Sequence, residues 1–250
     1  MKIEYFKEYS FNLNRDMEYK VYGHRGKPCI VFPAQDGRFF DFENFQMIES
    51  CRKQIEQGLI QFYFVYSIDL ETLSSTDKSP RERIEQHERW YQYVCDEFVP
   101  RVRHMSMDAN NNEFKGILLT GCSMGAAHSL NFFLRRPDLF DSVIALSGIY
   151  HARHFFHEYS DDLVYMNSPI QCIENISLDH YYLDLYRSRK IILCVGQGEW
   201  EDDMIVDTKK IEELFKIKNI PAQIDYWGFD VNHDWPWWRK QLPYYLNFIL

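Results

Sequence analysis

Short apolar runs, each bounded by proline, glycine or a polar turn, alternate along this chain with stretches of helical period. Cys29–Phe32, Leu59–Ile68, Gly116–Thr120, Asp141–Ser147 and Lys190–Gly196 are near-continuous apolar runs, as expected of strands covered on both faces. Ala222–Phe229 reads as a last strand, and Phe11–Tyr22 alternates enough for a strand or two ahead of the rest.

Helices are predicted between these runs. Phe42–Gln57 is one, closed by Gly58. Ser79-Pro80-Arg81-Glu82 has the form of a capping box with proline in the first turn. Ile84, Tyr91, Val94, Cys95, Phe98 and Val102 then share one face, and Pro100 predicts a kink or break. A small-residue helix runs from Met124 to about Arg135, an amphipathic one over Thr208–Lys218, and a last one over Pro236–Leu250. Alternation of strand and helix from Cys29 to the end predicts an α/β architecture, a mostly parallel sheet with helices on both faces. Tyr150–Ser188 breaks the alternation. It is polar, aromatic and helical in character, so it is expected to be an insertion over the sheet, and 1–250 one domain.

Composition narrows the class. The 250 residues are 46% hydrophobic and 26% charged, ordinary globular values. A net charge of −9 argues against nucleic acid or an anionic membrane as the main partner, since both need basic patches. No stretch has the uninterrupted apolar length of a membrane helix, and the first residues lack an apolar signal core. The six cysteines are scattered without a Cys-x-x-Cys pair, which fits buried thiols in a cytoplasmic protein. Aromatic residues reach 17%, concentrated in Phe62–Tyr66 and Trp235–Trp238, where core packing is the favoured explanation. Phe39, Phe40, Tyr66 and Trp235 are the aromatic residues that could otherwise line an acyl pocket. Oligomeric state is not legible, and a homo-oligomer stays open.

One pentapeptide carries chemistry. Gly121-Cys122-Ser123-Met124-Gly125 lies between an apolar strand and a helix that opens on small residues. This is the context of a nucleophile elbow, in which glycines let neighbouring backbones approach and the serine sits at a helix N-terminus. A nucleophilic serine needs a base within reach and a third group to hold that base. Of nine histidines, His233 is placed for the task, in the loop between the last strand and the final helix. His128 falls on the far side of the serine's own helix. His151, His154 and His157 form a spaced cluster without confirming ligands, so no metal is expected there. The loop after Lys190–Gly196 offers Glu199, Glu201, Asp202 and Asp203 as the acid, and spacing leaves all four open. The oxyanion would be met by the Met124 N–H and by one from Ala34 or Gln35, in the loop after Cys29–Phe32.

With these residues in hand, the chain resembles the esterase D family of serine hydrolases, which groups formylglutathione hydrolases, feruloyl and siderophore esterases, and mycolyltransferases. The resemblance runs from Cys29 to about Leu250 and is carried by "VFPAQDGRFFDFENF", "RWYQYVCDEFVP", "GCSMGAAHSL", "RRPDLFDSVIALSGIY", "VGQGEWEDD" and "VNHDWPWW". It implies an α/β-hydrolase fold, with Ser123 as nucleophile, His233 as base and Gln35 as second oxyanion donor. In formylglutathione hydrolases the acid stands three residues after the glycine of a Gln-Gly pair. Laid on Gln197-Gly198, that implies Glu201, with Glu199 in reserve, although the family residue is usually aspartate. The loop after Pro33 and the 150–188 insertion depart from formylglutathione hydrolases, so their substrate is not carried over. The expectation is a carboxylic-ester hydrolase of small-molecule esters, working through an acyl-enzyme without metal or organic cofactor. The alternatives are acyl transfer to a non-water acceptor by the same triad, and a non-catalytic binding protein on the fold.

Overall fold

The computed structural model describes residues 1–250 throughout. Its centre is one sheet of eight strands: β1 (Ile3–Ser10), β2 (Arg15–Tyr22), β3 (Lys27–Phe32), β4 (Ile60–Val65), β5 (Leu118–Cys122), β6 (Ser142–Leu146), β7 (Lys190–Val195) and β8 (Gln223–Tyr226). The strands lie in the order β1-β2-β4-β3-β5-β6-β7-β8. β1 and β2 form an antiparallel hairpin that joins β4 antiparallel, and every pairing from β4 to β8 is parallel.

Twelve α-helices and one π-helical stretch accompany the sheet. Three short ones, α1 (Asp41–Asn44), α2 (Met47–Ser50) and α3 (Arg52–Glu56), precede β4. α4 (Pro80–Gln92), a π-helical stretch over Tyr93–Phe98 and α5 (Val99–Ala109) precede β5, and α6 (Met124–Arg135) follows it. The segment after β6 holds α7 (Arg153–Phe156), α8 (Asp162–Met166), α9 (Pro169–Asn175) and α10 (Tyr182–Arg187). α11 (Asp202–Ile217) and α12 (Trp235–Ile249) follow β7 and β8.

Side chains of the parallel strands alternate between two cores, one per face, as the two-residue period of a strand requires. Ile30, Phe32, Leu119, Val143, Ala145 and Leu193 point to the face covered by α4, α5, α6, α9 and α11. Cys29, Val31, Leu118, Ile144, Leu146, Ile192 and Cys194 point to the other, covered by α1–α3 and α12. Burial on both faces is why these strands are continuous apolar runs.

Several boundaries differ from the sequence reading. Ile3–Ser10 is an edge strand with Ile3, Tyr5, Lys7 and Tyr9 exposed on one face and the polar Glu4, Glu8 and Ser10 interrupting Phe6 on the other, so it shows no clean apolar alternation. The helix expected over Phe42–Gln57 is three pieces, because Gln46 takes a left-handed backbone at φ 62° between the first two. β5 begins two residues later than expected and carries Gly121 and Cys122 at its end. The break expected at Pro100 does not occur: α4, the π-helical turns and α5 follow one another without interruption, and Pro100 is the second residue of α5, within the first turn where a missing N–H costs least. The capping box at Ser79 is formed, with its hydroxyl accepting from the Glu82 N–H and the Glu82 carboxylate accepting from the Ser79 N–H.

Candidate active site

Ser123 stands at the turn from β5 into α6 with φ 57° and ψ −123°, a backbone conformation costing a side-chain-bearing residue about 1–3 kcal/mol. The flanking glycines allow it. A Cβ on Gly121 would lie 2.4 Å from the Gly125 backbone, and one on Gly125 would lie 2.3 Å from the Phe32 carbonyl oxygen. The Ser123 N–H donates to the Leu146 carbonyl at 2.9 Å, fixing the turn to the neighbouring strand.

His233 and Glu201 come from the two loops beyond Ser123 on the sheet. The Ser123 hydroxyl donates to His233 Nε2 at 2.9 Å, and His233 Nδ1 donates to Glu201 Oε2 at 3.3 Å. A carboxylate facing Nδ1 selects the tautomer with its proton there, which leaves Nε2 as acceptor for the serine. Glu201 is fully buried. Its other oxygen accepts from the Ser147 hydroxyl at 2.6 Å and the Gly196 N–H at 3.3 Å. The loops are tied to each other as well: the His233 N–H donates to the Glu199 carbonyl, the Gly198 N–H to the Val231 carbonyl, and the Glu199 N–H to Asn232 Oδ1. The indole of Trp238 packs edge-on against the His233 ring at 5.0 Å and donates to the Ser147 hydroxyl.

The other acid candidates lie elsewhere. Glu199, Asp202 and Asp203 are exposed, and Glu199 meets His233 only through its main chain. Met124 is the first residue of α6, so its N–H has no acceptor within the helix, and Gln35 follows β3 on the same cleft. That cleft, about 490 Å³, is lined by Ser123, His233, Met124 and Gln35 together with Ile149, Phe155, Trp200, Asp202, Asp203 and Met204.

Its aromatic residues are not the ones the sequence singled out. Phe39 is buried in the core with Phe40 and Tyr66 packed against it, and Trp235 stacks on Phe45 at 4.3 Å. Phe155 from the insertion and Trp200 line the cleft instead. Ser147 was also missed, although the register could have found it. Leu146 pairs with Cys122, so Ser147 and Ser123 are the next residues on adjacent parallel strands.

The remaining histidines have other surroundings. His128 is buried, its Nε2 2.9 Å from the Asp69 carboxylate, and His87 stacks on it at 5.5 Å. Burial, with the His128 charge beside it, pushes His87 down to about 3. His151 and His154 gather around Asp207, whose carboxylate accepts the Tyr150 and His151 N–H groups and lies 3.3 Å from His154 Nε2. Burial works to raise the Asp207 carboxyl, but His154 and these N–H groups outweigh it and hold it below the usual range. No group of three or more histidine, cysteine, aspartate or glutamate side chains is arranged to hold a metal ion.

Known structures share the whole architecture. A ferulic acid esterase superposes with a TM-score of 0.73 at 17% identity, covering 99% of this chain and 97% of that one. An S-formylglutathione hydrolase from Agrobacterium tumefaciens gives 0.71 at 14% identity, covering 98% and 93%. MPT51 of Mycobacterium tuberculosis gives 0.70 at 9% identity, covering 100% and 98%. At such identities the likeness speaks to the fold, which is that of the α/β-hydrolases. No curated protein matches the sequence significantly. The sequence model of the Esterase family, described as "Putative esterase", matches residues 10–249. The chain therefore belongs to the Esterase family, as an α/β-hydrolase enzyme of the serine-esterase type.

Proposed function

We propose that this enzyme hydrolyses small-molecule carboxylic esters through an acyl-enzyme on Ser123, with His233 as general base and acid and Glu201 as the carboxylate behind it. The observation that carries the proposal is the continuous chain from the Ser123 hydroxyl through both imidazole nitrogens to a buried carboxylate. Ser123 Oγ attacks the acyl carbonyl while its proton passes to His233 Nε2. The carbonyl oxygen becomes an oxyanion, which the main-chain N–H groups of Met124 and Gln35 would stabilise. The C–O bond to the alcohol then breaks, and the alcohol leaves with the proton from Nε2. Water repeats the cycle: His233 takes its proton, hydroxide adds to the acyl carbon, and Ser123 departs reprotonated. Glu201 keeps the Nδ1 proton in place and offsets the imidazolium charge at each step.

We propose one hydrolase domain over 1–250 and a reducing, cytoplasmic setting, supported by six cysteines that are all unpaired. No helix is long and apolar enough to cross a membrane. The test is hydrolysis of p-nitrophenyl acetate by the wild type and Ser123→Ala. The proposal expects a loss of roughly 10³-fold or more in kcat with an unchanged circular dichroism spectrum. Undiminished hydrolysis by the folded variant overturns it.

A further inference from the structure

The carboxylate behind His233 is held more firmly from its far side than from the imidazole. His233 Nδ1 lies 3.3 Å from Glu201 Oε2, whereas the Ser147 hydroxyl reaches Oε1 at 2.6 Å. The second distance is that of a strong O–H···O⁻ bond, and the first is beyond the usual N–H···O range. The Gly196 N–H adds only a 3.3 Å contact to the same Oε1. Ser147 is therefore the contact that decides where the Glu201 carboxylate sits. Glutamate needs such an anchor, because it has a further rotatable bond to fix where aspartate would not.

The backbone of Ser147 is unusual in its own right. The residue is fully buried and follows β6 with φ 56°, a left-handed conformation that favours glycine. Its N–H donates to the Cys194 carbonyl at 2.7 Å, so β7 holds that conformation in place. Strain of this kind persists only where the surroundings enforce it, and it clusters at functional sites.

Trp238 settles which way the hydroxyl points. Its indole Nε1 lies 3.3 Å from Ser147 Oγ. An indole N–H can only donate, so the Ser147 oxygen is its acceptor and the single hydroxyl proton goes to Glu201. The same ring lies edge-on to the His233 imidazole, at 5.0 Å and 88°. Neither Trp238 nor Ser147 lines the cleft.

We propose that Ser147 and Trp238 are positioning residues, a relay of donors running from the indole through the Ser147 hydroxyl that aims the Glu201 carboxylate at His233 Nδ1. The inference rests on the triad proposed above. Glu201 acts on the imidazolium that forms as the reaction proceeds, so a misplaced carboxylate lowers kcat and leaves KM unchanged.

Hydrolysis of p-nitrophenyl acetate by Ser147→Ala, Ser147→Gly, Trp238→Phe and Ser147→Ala/Trp238→Phe tests this, with folding followed by urea unfolding. Ser147→Ala should lose roughly 10–100-fold in kcat, the worth of one hydrogen bond to a charged group, with KM within about twofold. Ser147→Gly relieves the backbone, so it should be more stable than the alanine variant yet as slow. Trp238→Phe keeps an aromatic edge against His233 and loses the longer bond, with an expected loss of several-fold. The double variant should be no slower than Ser147→Ala, because the indole acts through the hydroxyl. A folded serine variant with kcat within about twofold of the wild type, or a loss confined to KM, overturns the positioning role. Should neither serine variant fold, undiminished kcat in Trp238→Phe overturns the relay. Losses that multiply in the double variant overturn the route through Ser147. A wild type that neither hydrolyses the ester nor takes a fluorophosphonate label overturns the hydrolase function instead.

Discussion

Glu201 is held through both carboxylate oxygens, by His233 on one and by Ser147 and the Gly196 N–H on the other. A fully buried carboxylate is costly unless its acceptor sites are filled, and these three donors fill them. Glu201→Gln keeps the shape but loses the charge, and its amide would turn an N–H toward Nδ1 or toward Ser147. The expected loss in kcat is roughly 10²–10⁴-fold, read by steady-state esterase assay, with KM little changed. Loss in KM alone would show that Glu201 only shapes the cleft. At this scale the sequence was informative where residue type and chain order suffice, at Ser123 and His233. It left four acids open, because neighbours in a loop differ by which one the backbone turns inward, and only family resemblance favoured Glu201. Ser147 went unread because a serine at a strand end carries no motif.

At the scale of elements, the elbow depends on contacts between main chains. β5, the Ser123 turn and α6 close on the end of β3 so tightly that Gly125 has main-chain oxygens of Phe32 and Pro33 where a Cβ would be. Gly125→Ala must displace either α6 or the loop carrying Gln35. The expected outcome is about 1–3 kcal/mol of destabilisation in urea and a loss of activity larger than that stability change explains. A fully active, equally stable variant would show that the two backbones are not in this contact. The parallel core was legible in the sequence because its strands are buried on both faces and read as apolar runs. β1 was missed for the opposite reason, as an edge strand with side chains such as Tyr5, Tyr9 and Lys7 left outside. The insertion was recognised as helical, but that its Phe155 reaches the cleft depends on how α7 folds back over the sheet, which no local pattern encodes.

Across the whole molecule, pH acts on the fold as well as on the site. His87 is fully buried beside His128 and Trp90, and its folded value of about 3 lies below that of an exposed histidine. The unfolded chain takes up this proton below pH ~6.5, whereas the folded chain does not until about pH 3. The associated stability is therefore complete above neutrality and is lost as pH falls between those values. Urea unfolding at pH 7 and pH 5 should show a wild-type loss about 2 kcal/mol larger than that of His87→Phe. Equal losses in the two proteins would refute a neutral buried His87.

The account as a whole turns on a nucleophilic serine at one position. The most direct measurement is labelling with a fluorophosphonate probe, followed by mass spectrometry of the peptide containing Ser123. One probe per chain is predicted on Ser123 in the wild type, and none on Ser123→Ala. A folded wild type that takes no label, or a label that persists in Ser123→Ala, contradicts it.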